Sequence, residues 1–310
     1  MVRSLAIFSG VLLLTGAGFS QSKGPGGSRT EISAETMAML EAHEGLVYAT
    51  YGGREMKLDL YRPKNTEGDL PAVVCIHGGG WWQGTRANHA HVAKALAARG
   101  YVTATISYRL SDEAPFPAQI QDCKAAVRFL RAKAEKFGII SDRIGAIGLS
   151  AGGHLTALLG TSGEVKALEG DGGNADQSGA IQAAVPVGAQ SDFRPHYENI
   201  ENSNPNPPGP KPNIWVQFLR GKPSEAPDNW KMASPLTHLD ASDPPMLFIT
   251  GENDKETTHA EKFRGEMKEL GIDEGLHVIP GAPHAFPGRQ DWFDDMLEHA
   301  ADWFDVHLKG

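Results

Sequence analysis

Two cysteines in 310 residues give this chain no disulfide framework. Cys75 lies in the apolar run Ala72-Val-Val-Cys-Ile76 and Cys123 in a helical stretch, so both are read as buried free thiols. Positive charge is also scarce, with 29 Lys and Arg against 38 Asp and Glu. That balance excludes the basic surface that a nucleic acid or an anionic membrane requires. It disfavours polyanionic substrates as well. The long hydrophobic run sits at the N-terminus, where Arg3 precedes Leu5 to Leu14 and the small residues Gly16-Ala-Gly-Phe-Ser20 follow. The run is short for a membrane span, and no cysteine follows it to take a lipid. Its layout predicts a secretory signal peptide over residues 1–20, cleaved near Ser20. The mature chain is then expected to be secreted or periplasmic, without stable membrane insertion, and carries 28 basic against 38 acidic residues. Neither an internal repeat nor a His/Asp/Glu spacing typical of a metal site is visible, so no cofactor and no metal are implied. No signal for an oligomeric state is present either.

What is present is a large α/β protein. With 40% hydrophobic and 22% charged residues, the chain can bury a sizeable core. Residues 21–28 read as a Gly/Ser/Pro-rich linker and Ile32 to Ala42 as a short helix, together an N-terminal segment over 21–44. A β-hairpin follows, Leu46 to Tyr51 and Glu55 to Tyr61, turning at Gly52-Gly53. Apolar strands are then expected at Ala72–Ile76, Tyr101–Ser107, Ile144–Leu149, Ile181–Val187, Met246–Thr250 and Leu276–Ile279. Helices are expected at Ala87–Ala98, Pro117–Phe137, Ala151–Leu159, Thr258–Leu270 and Trp292–Leu308. Such alternation predicts a mostly parallel sheet with helices on both faces, forming one domain over residues 45–310. Two stretches break the rhythm. Thr161 to Gly179 is rich in Gly and Asp. The Pro/Asn-rich stretch of about 199–230, with Ile214-Trp-Val-Gln-Phe218 in its middle, is expected to be a short lid.

The chemistry is written around one serine. Gly148-Leu-Ser-Ala-Gly-Gly-His154 follows a predicted strand and opens a predicted helix. A serine hydroxyl is a weak nucleophile unless the chain holds it out toward a base, and a strand that turns sharply into a helix does so. The turn crowds its neighbours, which favours glycine on both sides of Ser150. Upstream, after Ala72–Ile76, stands His77-Gly-Gly-Gly-Trp81, whose bare backbone N–H groups suit an oxyanion hole formed by Gly79, Gly80 and Ala151. An acid and a base are expected on later loops at the same sheet edge. Gly251-Glu-Asn-Asp254 offers Asp254, with Glu252 and Asp192 as competing acids, and Pro280-Gly-Ala-Pro-His284 offers His284. Of the other histidines, His77 is expected to brace the glycine loop, His154 to point away from the serine, and His89 and His91 to lie on a surface helix. Trp81, Trp82 and Trp215 are candidate stacking surfaces for a sugar or an aromatic acid.

These motifs, with Ser107-Tyr-Arg-Leu110, Ala114-Pro-Phe-Pro-Ala118 and Gly281-Ala-Pro-His284-Ala-Phe286, resemble the α/β-hydrolase superfamily. Within it the chain is similar to hormone-sensitive-lipase-like and feruloyl/acetyl-xylan-esterase-like bacterial enzymes. The resemblance implies an α/β-hydrolase fold with a triad of Ser150, Asp254 and His284 and an oxyanion hole of Gly79, Gly80 and Ala151. It also implies a serine esterase acting on a small-molecule or carbohydrate ester. Pro283 stands where glycine often precedes the histidine, Gly188-Ala-Gln-Ser-Asp192 departs from the common Gly-Pro-x-Asp turn, and the cap is short. The competing readings are an amidase or exopeptidase on the same fold and a non-catalytic binding protein that has kept it.

Overall fold

The structure, a computed structural model, describes residues 30–254, 260–284 and 286–310. The expected signal peptide, the linker over 21–28, the start of the helix expected from Thr258, and Ala285 lie outside those residues. No described helix is long and apolar enough to cross a membrane.

Eight strands form one sheet: β1 (Leu40–Tyr51), β2 (Arg54–Pro63), β3 (Leu70–Ile76), β4 (Val102–Ile106), β5 (Ile139–Leu149), β6 (Ala183–Val187), β7 (Met246–Gly251) and β8 (Glu274–Ile279). Their order across the sheet is β1-β2-β4-β3-β5-β6-β7-β8. β2 is antiparallel to β1 and β4, and every pairing from β4 to β8 is parallel. The β1–β2 hairpin turns on Gly52 and Gly53, both at positive φ (54° and 89°), the conformation a two-residue hairpin turn demands.

The sheet divides its apolar residues by alternation. On β3, Ala72, Val74 and Ile76 face one core layer while Val73 and Cys75 face the other. The helices run α1 (Ala34–Ala38), α2 (Ala90–Ala97), α3 (Ala118–Ala132), α4 (Ala134–Phe137), α5 (Ala151–Thr161), α6 (Tyr197–Glu201), α7 (Ile214–Leu219), α8 (Pro227–Ala233), α9 (Ala260–Glu269) and α10 (Gln290–Phe304). Side chains of α3, α5, α7, α8 and α9 fill the first layer, and those of α2 and α10 the second. The doubly covered, mostly parallel sheet is therefore as expected. Cys75 and Cys123 are buried and free, each in a different layer and so held apart by the sheet.

Several boundaries move. The short helix is confined to Ala34–Ala38, because the chain from Leu40 onward finds a partner edge along β2: Leu40 pairs with Pro63 and Ala42 with Tyr61. A bulge at Glu44-Gly45 then resets the register, with the Gly45 N–H donating to Asp59 Oδ1 at 2.7 Å. The long helix expected to end at Gly138 breaks at Lys133 and resumes as α4 before Gly138 closes it in the left-handed region. The Gly/Asp-rich stretch after α5 is pinned to α3, where Glu169 takes both Lys124 and Arg128.

Candidate active site

Ser150 stands between β5 and α5 with φ +57° and ψ −117°, a strained combination for a side-chain-bearing residue. Its neighbours show why the turn is written in glycine. A Cβ on Gly148 would sit 2.3 Å from the Gly152 carbonyl oxygen, and one on Gly152 would sit 2.1 Å from the Ile76 carbonyl oxygen. The serine turn is thus wedged directly against the end of β3, and no side chain fits in the wedge.

The chain leaves β3 through His77 and the three glycines. His77 is fully buried, donates through Nδ1 to the Gly78 carbonyl at 2.8 Å and stacks on Tyr108 at 4.2 Å. It braces the loop as expected, and burial lowers its pKa to about 4. Gly79 and Gly80 follow at φ +115° and +59°, and among the described residues no acceptor pairs with their N–H groups. Ala151 is the first residue of α5, so its N–H has no partner within the helix. The Gly78 side of the loop faces the serine: a Cβ there would lie 3.4 Å from the Ser150 Cβ.

Asp254 follows β7 and His284 follows β8, at the same carboxyl edge of the parallel strands as Ser150 and the glycine loop. His284 Nε2 lies 2.8 Å from Ser150 Oγ, and His284 Nδ1 lies 2.8 Å from Asp254 Oδ2. A carboxylate only accepts, so Nδ1 carries the proton and Nε2 is left to accept from the serine hydroxyl. The Asp254 side chain is wholly buried, whereas a quarter of the His284 side chain remains open to solvent. The two loops are stitched together: Asn253 N–H donates to the Ala282 carbonyl, Glu252 N–H to the Ile279 carbonyl, and Gly281 N–H to Glu252 Oε2 at 2.7 Å. Glu252 is therefore a brace between loops. Asp192, the other competing acid, holds Arg194 at 2.8 Å and accepts from the Arg194 N–H.

The cleft at Ser150 has a volume of about 730 Å³. Besides Ser150, His284 and the glycine loop, it is lined by Gln83, Thr85, Asn88, His89, His91 and Pro287. Sequence reasoning missed this wall, whose only signal was its position directly after the glycine loop. His89 was expected on a surface helix but is buried in the turn leading into α2, and burial holds its pKa well below the usual histidine range. His91 is half-buried beside it, with its pKa lowered to about 4 by the same cause. The only His/Asp set that the described residues bring within metal-ligating reach, His277, Asp295 and His299, does not line this cleft.

Of the three tryptophans, Trp81 requires correction as a stacking surface. Trp81 is buried, stacks on Phe218 at 4.4 Å, and donates its indole N–H to His154 Nδ1 at 3.1 Å. His154 in turn gives its Nε2 proton to the Ala233 carbonyl at 2.7 Å, which places it in the core and away from the serine. Trp81 is therefore a core residue, consumed by a hydrogen-bonded aromatic cluster. Trp215 sits half-buried in that cluster, stacked between His196 and Trp230. Trp82 lines a separate groove with Asp112, residues 205–207 and 209–213, Val216 and Gln217. None of the three is among the described residues that line the cleft at Ser150. Within the stretch of about 199–230, α7 rests on the glycine loop, its Ile214 methyl 3.2 Å from where a Gly80 Cβ would be, and Phe218, Leu219 and Trp230 are fully buried.

Residues 58–263 match the BD-FAE family model. The chain is 28% identical over 274 residues to the probable carboxylic ester hydrolase LipM of Mycobacterium tuberculosis, covering 84% of this chain and 62% of LipM. It thus spans about three fifths of that relative's length. Among solved structures, it is similar to a truncated carbohydrate esterase from gut microbiota, with a TM-score of 0.74, 27% identity, and coverage of 87% of this chain and 97% of that one. It is also similar to propionate-bound esterase Est2 of Thermogutta terrifontis, with a TM-score of 0.69, 27% identity, and coverage of 87% and 94%. With two thirds of its length inside the family model, and its sheet shared with the α/β-hydrolase esterases, the chain belongs to the BD-FAE family.

Proposed function

We propose that the chain is an exported serine carboxylic-ester hydrolase that works through an acyl-enzyme. The observation that carries this reading is the His284 imidazole, which lies 2.8 Å from both the Ser150 hydroxyl and the Asp254 carboxylate. As Ser150 Oγ attacks an ester carbonyl, His284 Nε2 takes its proton and later returns it to the leaving alcohol. Asp254 holds the Nδ1–H tautomer and stabilises the imidazolium. The carbonyl oxygen becomes an oxyanion, which the N–H groups of Gly79, Gly80 and Ala151 receive, helped by the dipole of α5. Water, activated by the same imidazole, then releases the acid from Ser150.

The cleft and the relatives support a substrate class. Short-acyl or aryl esters, including those of carbohydrates, suit a mostly apolar cleft that also carries polar groups at Gln83, Thr85 and Asn88. The propionate-bound and carbohydrate-esterase relatives support the same choice. Hydrolysis of aryl esters from acetyl to decanoyl, alongside acetylated xylan and methyl ferulate, tests it. Turnover is expected to peak at short chains, and a peak at decanoyl would overturn the choice. Ser150→Ala is expected to lower turnover by roughly 10⁶-fold, since triad members act as a unit. A variant that kept more than a tenth of the activity would remove Ser150 as the nucleophile. Export rests on the leader-like residues 1–20. Recovery of the processed chain outside the cytoplasm is the expected outcome of fractionation.

A further inference from the structure

The far side of β8 carries a second group of ligating side chains that the proposed reaction does not use. Asp295 and His299 lie one turn apart on α10 and so share a face. His277 lies on β8 and meets them there. His277 Nε2 is 2.8 Å from Asp295 Oδ1, and His299 Nδ1 is 3.1 Å from the same oxygen. All three donor atoms lie within 4.8 Å of one another. In a tetrahedral zinc site with bonds of about 2.0–2.1 Å, neighbouring ligand atoms are separated by about 3.3 Å, close to these spacings.

We propose that His277, Asp295 and His299 form a binding site for a divalent transition metal, zinc being the simplest occupant. Two imidazoles and one carboxylate suit zinc, copper or nickel, and a set of three leaves one position for water. Two adjustments are needed. His299 Nδ1 also lies 2.9 Å from the Asp295 carbonyl, so the metal replaces the proton held there. The rings, now stacked with centroids 3.5 Å apart, must splay to about 5 Å for both lone pairs to converge. The His299 side chain is 43% exposed against 21% for His277, so the rotation falls mainly to His299.

The position gives the site a purpose. His277 is two residues before the end of β8, and Asp295 is in the second turn of α10. The chain between them carries His284. A metal bridging the two elements would clip both ends of the segment that presents the imidazole to Ser150.

Isothermal titration of the untagged full chain with Zn²⁺ alone is expected to show one saturable site. At zinc a hundredfold above Kd, the Tm is expected to rise by roughly 4 °C. His277→Ala and His299→Ala are each expected to weaken the site at least tenfold and to remove the Tm rise. Where His277→Ala disturbs the edge strand, His299→Gln, on the exposed face of α10, carries the same test. Absence of a saturable site in the wild-type chain would overturn the proposal, as would unchanged affinity in the His299 variants. The readout is binding and Tm, so it stands apart from the esterase reading.

Discussion

Ser150 holds its backbone at φ +57° against a cost of order 1–3 kcal/mol. That strain is stable only because the carbonyls around it leave no alternative path. Gly148 and Gly152 are the visible consequence: each is pressed to within 2.3 Å of a carbonyl oxygen at the point where its Cβ would stand. Gly148→Ala is therefore expected to displace the serine turn. Turnover of an aryl ester should fall at least 10²-fold even where the folded chain survives, because a shift of about 1 Å misplaces the reacting atoms. Stopped assays on the purified, folded variant check this, and near-normal turnover would show that the wedge is loose. This part of the site was legible in the sequence because the constraint is local: two glycines, one serine and a strand-to-helix junction lie within a few residues. Trp81 was not legible. An indole beside a glycine loop serves a ligand or a core equally well, and only the fold brings Phe218 and His154 to it.

α7 and the glycine loop act as one packed unit. Trp81 joins the loop to α7 through Phe218, and His154 joins both to α5 and α8 through its two ring nitrogens. Phe116 N–H adds a further tie to the Phe218 carbonyl at 2.9 Å. Trp81→Ala removes the ring at the centre of this unit and leaves His154 Nδ1 without its donor. The expected cost is roughly 3–5 kcal/mol, which lowers Tm by about 5–8 °C in a chain of this size. Calorimetry together with Michaelis kinetics separates the roles: a substrate contact would raise KM with Tm unchanged. Strand and helix periodicity in the sequence located nearly every element of the sheet and its layers. It failed where pairing decides, as at Leu40, which lies in a strand because β2 offers it an edge. It also could not place His89, because burial there depends on how the turn before α2 folds under the serine cleft.

The whole molecule stores neutral histidines. His77 and His154 are fully buried, and burial lowers the pKa of each to about 4. Above pH 6.5 both are neutral whether the chain is folded or unfolded, so they leave stability unaffected by pH. Between pH 6.5 and about 4 the unfolded chain takes up protons that the folded chain refuses, and stability falls as pH falls. Each contributes about 1.4 kcal/mol per pH unit over that window, or roughly 3 kcal/mol per unit for the pair. Urea denaturation at pH 7, 5.5 and 4.5 should show the midpoint dropping steadily, and a flat midpoint would mean that these rings charge in place. The doubly covered sheet was readable from alternating apolar runs and turn signals, since such periodicity fixes the layers before any side-chain detail. The wall of the cleft was not, since it is assembled from the turn after the glycine loop and from Pro287, some 200 residues apart in the chain.

The order of the strands places one of the two edge strands in a delicate position. β8 has a neighbour on one side only, and Leu276 and Val278 on it are more than a third exposed. Edge segments with few cover contacts fray before the interior of a sheet does. The imidazole hangs from that margin, whereas the hydroxyl and the bare amides are rooted in the centre of the sheet. Mild heating or denaturant would therefore silence this molecule by withdrawing its proton acceptor, well before the remaining strands come apart.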